Sequence, residues 1–166
     1  MSTSADLLED AFGRISEGVE LVLDELTPQQ LAHRITPDAN TIAWLVWHLL
    51  RVQDDHVSDA AGTDQVWTSA GWHKRLGLPF DASDTGYGHS RDEVGAVTTT
   101  PELLVGYARA VTAATQAYVT SLSDDDLDRV VDESWDPPVT LGVRLVSVIE
   151  DDLKHLGQAE YVKGLL

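Results

Sequence analysis

Four long stretches of this chain carry apolar residues at the spacing of a helix, and each leaves an apolar face that another helix must cover. The first runs from about Ser4 to Leu26, with Leu7, Leu8, Phe12, Ile15, Val19, Val22 and Leu23 on that spacing. The second, about Thr41 to Ala60, carries Ile42, Leu45, Leu49 and Val52 as a stripe. A third opens at Pro101 after "TTT" and runs to about Ser121, and a fourth follows Thr140 and continues nearly to Leu166. The starts are marked chemically. "TPQQ" offers Thr27 as a cap with Pro28 at the first helical position and Gln30 completing a capping box, and "SRDE" repeats the device at Ser90 and Glu93. Four such helices with short extras predict an all-α helical bundle in a single domain spanning 1–166.

Between the second and third helices the periodicity fails. Residues 62–88, containing "WTSAGWHKRLGLPFDASDTGYG", are rich in Gly, Asp, Ser and aromatics and predict a long ordered excursion. Segments of that length without secondary structure are uncommon and often functional. Trp67, Trp72, Phe80 and Tyr87, with His73 and His89, are expected to cover the bundle as a satellite core. "WDPP" predicts an extended segment before the last helix, because residues preceding proline avoid the helical region.

A net charge of −17 would repel phosphates, which argues against nucleic acid and anionic membrane as partners and favours cation binding; the partner expected is a small-molecule substrate. The chain has no cysteine, so disulfides, zinc knuckles and a thiol nucleophile are excluded, and any sulfur chemistry must arrive with a ligand. The N-terminal "MSTSADLLEDAFGRI" lacks the basic and apolar regions of a signal peptide, and no stretch reads as a membrane span, so a cytoplasmic location is expected.

Residues advance about 100° each along a helix. On the last helix that places Asp151, His155 and Gln158 within about 40° of Arg144, beside the apolar strip of Leu141, Leu145, Ile149 and Leu156. Such an Asp/His pair four residues apart is commonly a plain surface contact. The second helix supplies a reason to read more: His48 sits inside "WLVWHLL", its most apolar part. If the two helices are neighbours, His48, Asp151 and His155 converge as ligands for one divalent ion, with the set suiting zinc, nickel, iron or manganese. Spacing leaves open a bundle in which these groups only bond one another. Asp55 and Asp152 are expected as acceptors for the second ring nitrogens. Arg144 would pair either with Asp151, which would take that carboxylate from the metal, or with an anionic substrate. His56 and His33 are expected at solvated surface, and "SDDDLD" as a solvated helix start.

The segments "WLVWHLLRVQDDH" and "DDLKHLGQAEYVKGLL" resemble the DinB superfamily, most closely its actinobacterial branch with mycothiol-dependent maleylpyruvate isomerase and thiol transferases. The resemblance extends through "GWHKRLGLPFDASDTGYGHS" and "VVDESWDPPVTLGVRLVSV". It implies a four-helix bundle in up-down-down-up order with a long connection after the second helix, and often a homodimer. It also implies a divalent metal, zinc or nickel among relatives, held by one histidine of the second helix and an H-x-x-x-H pair of the last. His48 and His155 match two of those positions, while Asp151 stands where the pattern has histidine. The function implied is a metal-dependent S-transferase or isomerase using mycothiol or a similar thiol, with Arg144 or Gln158 orienting the electrophile. The alternative is a non-catalytic metal-binding or stress-related protein.

Overall fold

The structure is a computed structural model that describes residues 3–166; Met1 and Ser2, the start of the expected domain and of the N-terminal segment just discussed, lie outside it. Among the described residues four long helices form the frame: α1 (Ser4–Leu23), α3 (Ile42–Ala61), α7 (Pro101–Val119) and α8 (Leu141–Lys163). Short helices α2 (Pro28–Leu31), α4 (Val66–Ser69), α5 (Trp72–Leu76) and α6 (Arg91–Ala96) lie in the connections. The capping boxes at Thr27/Gln30 and Ser90/Glu93 form as expected, and Thr3/Asp6 adds another at the start of α1.

The four long helices pack in the cyclic order α1, α8, α3, α7. Their directions follow from bonds across the seams. Glu20 near the end of α1 meets Arg109 midway along α7, while Gly13 midway along α1 lies beside Gln116 near the end of α7, so these two are antiparallel. Gly18 approaches Leu156, and Lys163 reaches the carbonyls of Leu21 and Asp24, so α1 and α8 run parallel. Tyr107 bonds Asp54 and Tyr118 bonds the Ala60 carbonyl, which makes α3 and α7 parallel. His56 beside Arg144 and His48 beside His155 make α3 and α8 antiparallel. This is the up-down-down-up DinB-like bundle, filled by Phe12, Trp47, Leu49, Leu104, Leu145 and their apolar neighbours.

The connection from α3 to α7 is the expected long ordered excursion, and the short helices α4 and α5 lie within it. Buried side chains of α3 hold it down. Asp54 accepts from the backbone N–H groups of Val66 (3.0 Å) and Trp67 (2.8 Å). Arg51, fully buried, donates through Nε to the Asp84 carbonyl (3.1 Å) and through Nη1 to Gln65 (2.8 Å). Trp67 and Phe80 then pack on Trp47 as the expected satellite core, but Tyr87 stands 93 % exposed. Two smaller differences are local. The first helix stops at Leu23, three residues early, because Asp24 turns extended and Glu25 adopts a left-handed conformation. The extended segment around "WDPP" belongs to a small antiparallel hairpin of β1 (Val130–Asp132) and β2 (Val139–Thr140), which leads directly into α8.

Candidate metal centre

Thr41 caps α3 by accepting from the Trp44 N–H (3.1 Å), and the most apolar part of the helix follows immediately. His48 is therefore carried into the interior, 6 % exposed, facing α8. Across that seam His48, Asp151 and His155 each offer one ligand atom, and these atoms lie within 4.8 Å of one another. It is the one such grouping among the described residues.

Both imidazoles have their Nδ1 engaged. His48 Nδ1 lies 2.5 Å from the Thr85 carbonyl, and His155 Nδ1 lies 2.9 Å from the carbonyl of Asp151. A carbonyl oxygen only accepts, so each Nδ1 carries the proton and each Nε2 keeps its lone pair. Burial lowers the pKa of His48, with the His155 side chain acting in the same direction, while the Thr85 bond and Asp151 oppose it. Neutral imidazole is the form a metal needs. Asp151 Oδ2 is buried without a hydrogen-bond partner, 3.8 Å from His155 Nδ1. A buried carboxylate oxygen with no donor is costly unless something cationic meets it. Two free imidazole nitrogens and one orphaned carboxylate oxygen fit a divalent cation. Trp44 stacks on His48 at 4.6 Å between ring centroids and 16° between planes, restricting the ring's rotation.

A cavity of about 420 Å³ opens beside the cluster. His48 and Asp151 form part of its wall, joined by His56, Thr85, Tyr87 and Arg144. Arg144 is not bound to Asp151: its Nη2 donates to Asp132 of β1 (2.8 Å), and Nη1 lies 3.4 Å from His56 Nδ1. The hairpin thus draws the guanidinium away and leaves the Asp151 carboxylate free. His56 lines the cavity rather than standing at open surface, and burial together with the Arg144 charge lowers its pKa.

Other expected roles fall elsewhere. Asp55 accepts from Gln65 (2.6 Å) and Asp152 is fully buried with neither oxygen bonded, so neither serves a ligand imidazole; backbone carbonyls do. Gln158 is exposed and lines a separate depression with Asn40 and Tyr161, not the cavity that holds Arg144. His33 is at the surface, and the "SDDDLD" acids lie exposed in a 3-10 turn with Ser123 and Asp126 forming a capping box. Thr85 carries no sequence signal for its role, because a backbone carbonyl is offered by every residue and only the path of the chain selects one.

Fold and site together define a DinB-like helical bundle with a His/Asp/His candidate metal centre on its second and last long helices. More narrowly, residues 7–166 match the mycothiol-S-transferase family, and the chain belongs to it. Among solved structures it is similar to a crystal structure described as the conserved protein of a locus from Enterococcus faecalis. The two share 30% sequence identity at a TM-score of 0.91, over 98% of this chain and 96% of that one. No curated protein matches.

Proposed function

We propose that the protein is a divalent-metal-dependent S-transferase acting with mycothiol or a similar low-molecular-weight thiol. The observation that carries this reading is the Asp151 carboxylate, its Oδ2 buried and unpartnered, grouped with two imidazoles whose ligand atoms lie within 4.8 Å beside a cavity of about 420 Å³. Family membership supplies the chemical class. His48, Asp151 and His155 are the residues that would hold the ion. A bound divalent cation supplies Lewis acidity that favours the ionised form of a thiol, which is the nucleophilic form.

The chain's own groups do the rest. Arg144, anchored by Asp132 at 2.8 Å, keeps its remaining N–H groups for an anionic or carbonyl oxygen of the electrophile. His56 accepts from Arg144 at Nδ1, which leaves its Nε2–H as a donor to a leaving group or a hydroxyl. Gln158, outside the cavity, has no part in this scheme. The missing cysteine is consistent with a nucleophile delivered by the cosubstrate.

The test is an S-transfer assay with mycothiol and a generic electrophile, using protein loaded in turn with zinc, nickel and ferrous iron. Consumption of both substrates by at least one loaded form, lost in Asp151→Ala, is expected. Metal-loaded protein that is silent toward thiol and electrophile would instead favour the non-catalytic metal-binding alternative.

A further inference from the structure

The segment between α5 and α6 is held against His48 by a closed set of bonds that the proposed chemistry does not use. Trp44 Nε1, which can only donate, lies 3.1 Å from His89 Nδ1. His89 Nδ1 must therefore accept, and the ring's proton sits on Nε2. That Nε2 is 3.1 Å from both carboxylate oxygens of Asp84, so it donates to them. Asp84 in turn accepts from the Gly86 N–H (2.8 Å), while its own carbonyl takes Arg51 Nε (3.1 Å). Between Asp84 and Gly86 lies Thr85, whose carbonyl meets His48 Nδ1.

The fit is close. The His89 side chain is 4 % exposed, against Trp47 (5.7 Å between centroids, 22° between planes) and Phe80 (4.7 Å). Gly86 has φ +90°, and a Cβ there would stand 2.9 Å from both His48 Nδ1 and Trp47 Cζ3. The backbone approaches the imidazole as nearly as it can only because this position has no side chain.

We propose that Trp44, His89 and Asp84 form a clamp that holds the Thr85 carbonyl on His48 Nδ1, and so presets the Nε2 lone pair of His48 toward Asp151 and His155. These are positioning residues; none is assigned contact with the ion. The consequence for metal affinity rests on the metal reading above, whereas the control of the His48 tautomer does not. Groups that orient a ligating imidazole are commonly worth about 10–100-fold in metal affinity.

Glutamine and phenylalanine at position 89 separate a clamp from mere packing. Glutamine can accept from Trp44 and donate to Asp84, whereas phenylalanine keeps only the ring. Side-chain ¹⁵N–¹H correlation spectra of the metal-free protein should show His48 protonated on Nδ1 in the wild type and in His89→Gln, and a mixture of tautomers in His89→Phe. Affinity for Zn²⁺ or Co²⁺ should fall about 10–100-fold in His89→Phe and return to within a few-fold of wild type in His89→Gln. Wild-type tautomer and affinity in His89→Phe, or greater losses in His89→Gln than in His89→Phe, overturns the clamp. If His89→Phe does not fold, Asp84→Ala removes the same link from a side chain 29 % exposed, and the same readouts decide. Protein that binds neither ion while the His48 tautomer still depends on position 89 overturns the metal reading and upholds the clamp.

Discussion

Along its seam with α7, helix α3 buries Arg51, Gln53 and Asp54; along its seam with α8 it sets His48 against Asp151 and His155. At the first seam the polar groups consume one another. Gln53 donates to Thr115 (2.8 Å), Tyr107 donates to Asp54 (2.9 Å), and Arg51 lies 3.7 Å from Asp54 and spans to the excursion, with Nη2 its one buried atom lacking a partner. At the second seam the Asp151 Oδ2 is buried with no donor. Burying polar groups is tolerable when they are paired and costly when they are not. The satisfied seam fastens a long connection to the bundle. The unsatisfied one is held open for something that brings charge.

That contrast yields measurable differences. The largest concerns the ion. Elemental analysis of wild-type protein should find a stoichiometric divalent metal, and His48→Ala should fall to background. A chelator should leave the far-UV circular dichroism of the wild type nearly unchanged, because the bundle is built by its apolar core. Loss of helicity on chelation would erase the distinction between the seams.

Asp54→Ala should do the reverse. It strands Arg51 and leaves the Val66 and Trp67 N–H groups without their acceptor, at a cost of about 3–5 kcal/mol in urea unfolding. Folded molecules of that variant should still bind metal.

Asp152→Leu should be stabilising in metal-free protein, by about 1–3 kcal/mol at neutral pH, since it removes an unpaired polar group from the core. Burial, with Asp151 adding to it, raises the Asp152 pKa well above the usual carboxylate value. The folded value lies above the unfolded one, so the unfolded chain loses its proton first as pH rises. Wild-type stability therefore declines from the acid side until the folded value is passed, then levels. Urea midpoints of wild type and Asp152→Leu should diverge as pH increases; parallel curves would show that Asp152 has a partner. The smallest effect is expected outside both seams, where Arg109→Ala breaks the exposed pair with Glu20 and should leave the urea midpoint within error.

Much of the bundle was legible because its code is local. The stripe Ile42, Leu45, Leu49 and Val52 and the capping boxes at Thr27 and Ser90 are interactions among residues three or four apart, which a helix brings together wherever it lies. The candidate ligands were legible in part for the same reason. Asp151 and His155 share a face by spacing, and His48 stands out as a polar residue within an apolar run. The short helices α4 and α5 were not legible, because they are four and five residues long and the hold on α4 comes from Asp54, more than ten residues away in sequence.

By itself, then, the sequence determined four amphipathic helices, their capped starts, and which side chains share a face on each, since those follow from local contacts and backbone periodicity. Tertiary structure alone decided that His48 stands level with His155 across the seam of α3 and α8. It also decided that Arg144 is drawn to Asp132 instead of Asp151, and that the Thr85 carbonyl, not Asp55 or Asp152, takes the second nitrogen of His48. Each of these is a contact between distant segments, fixed by how apolar faces pack and by which buried donor finds an acceptor.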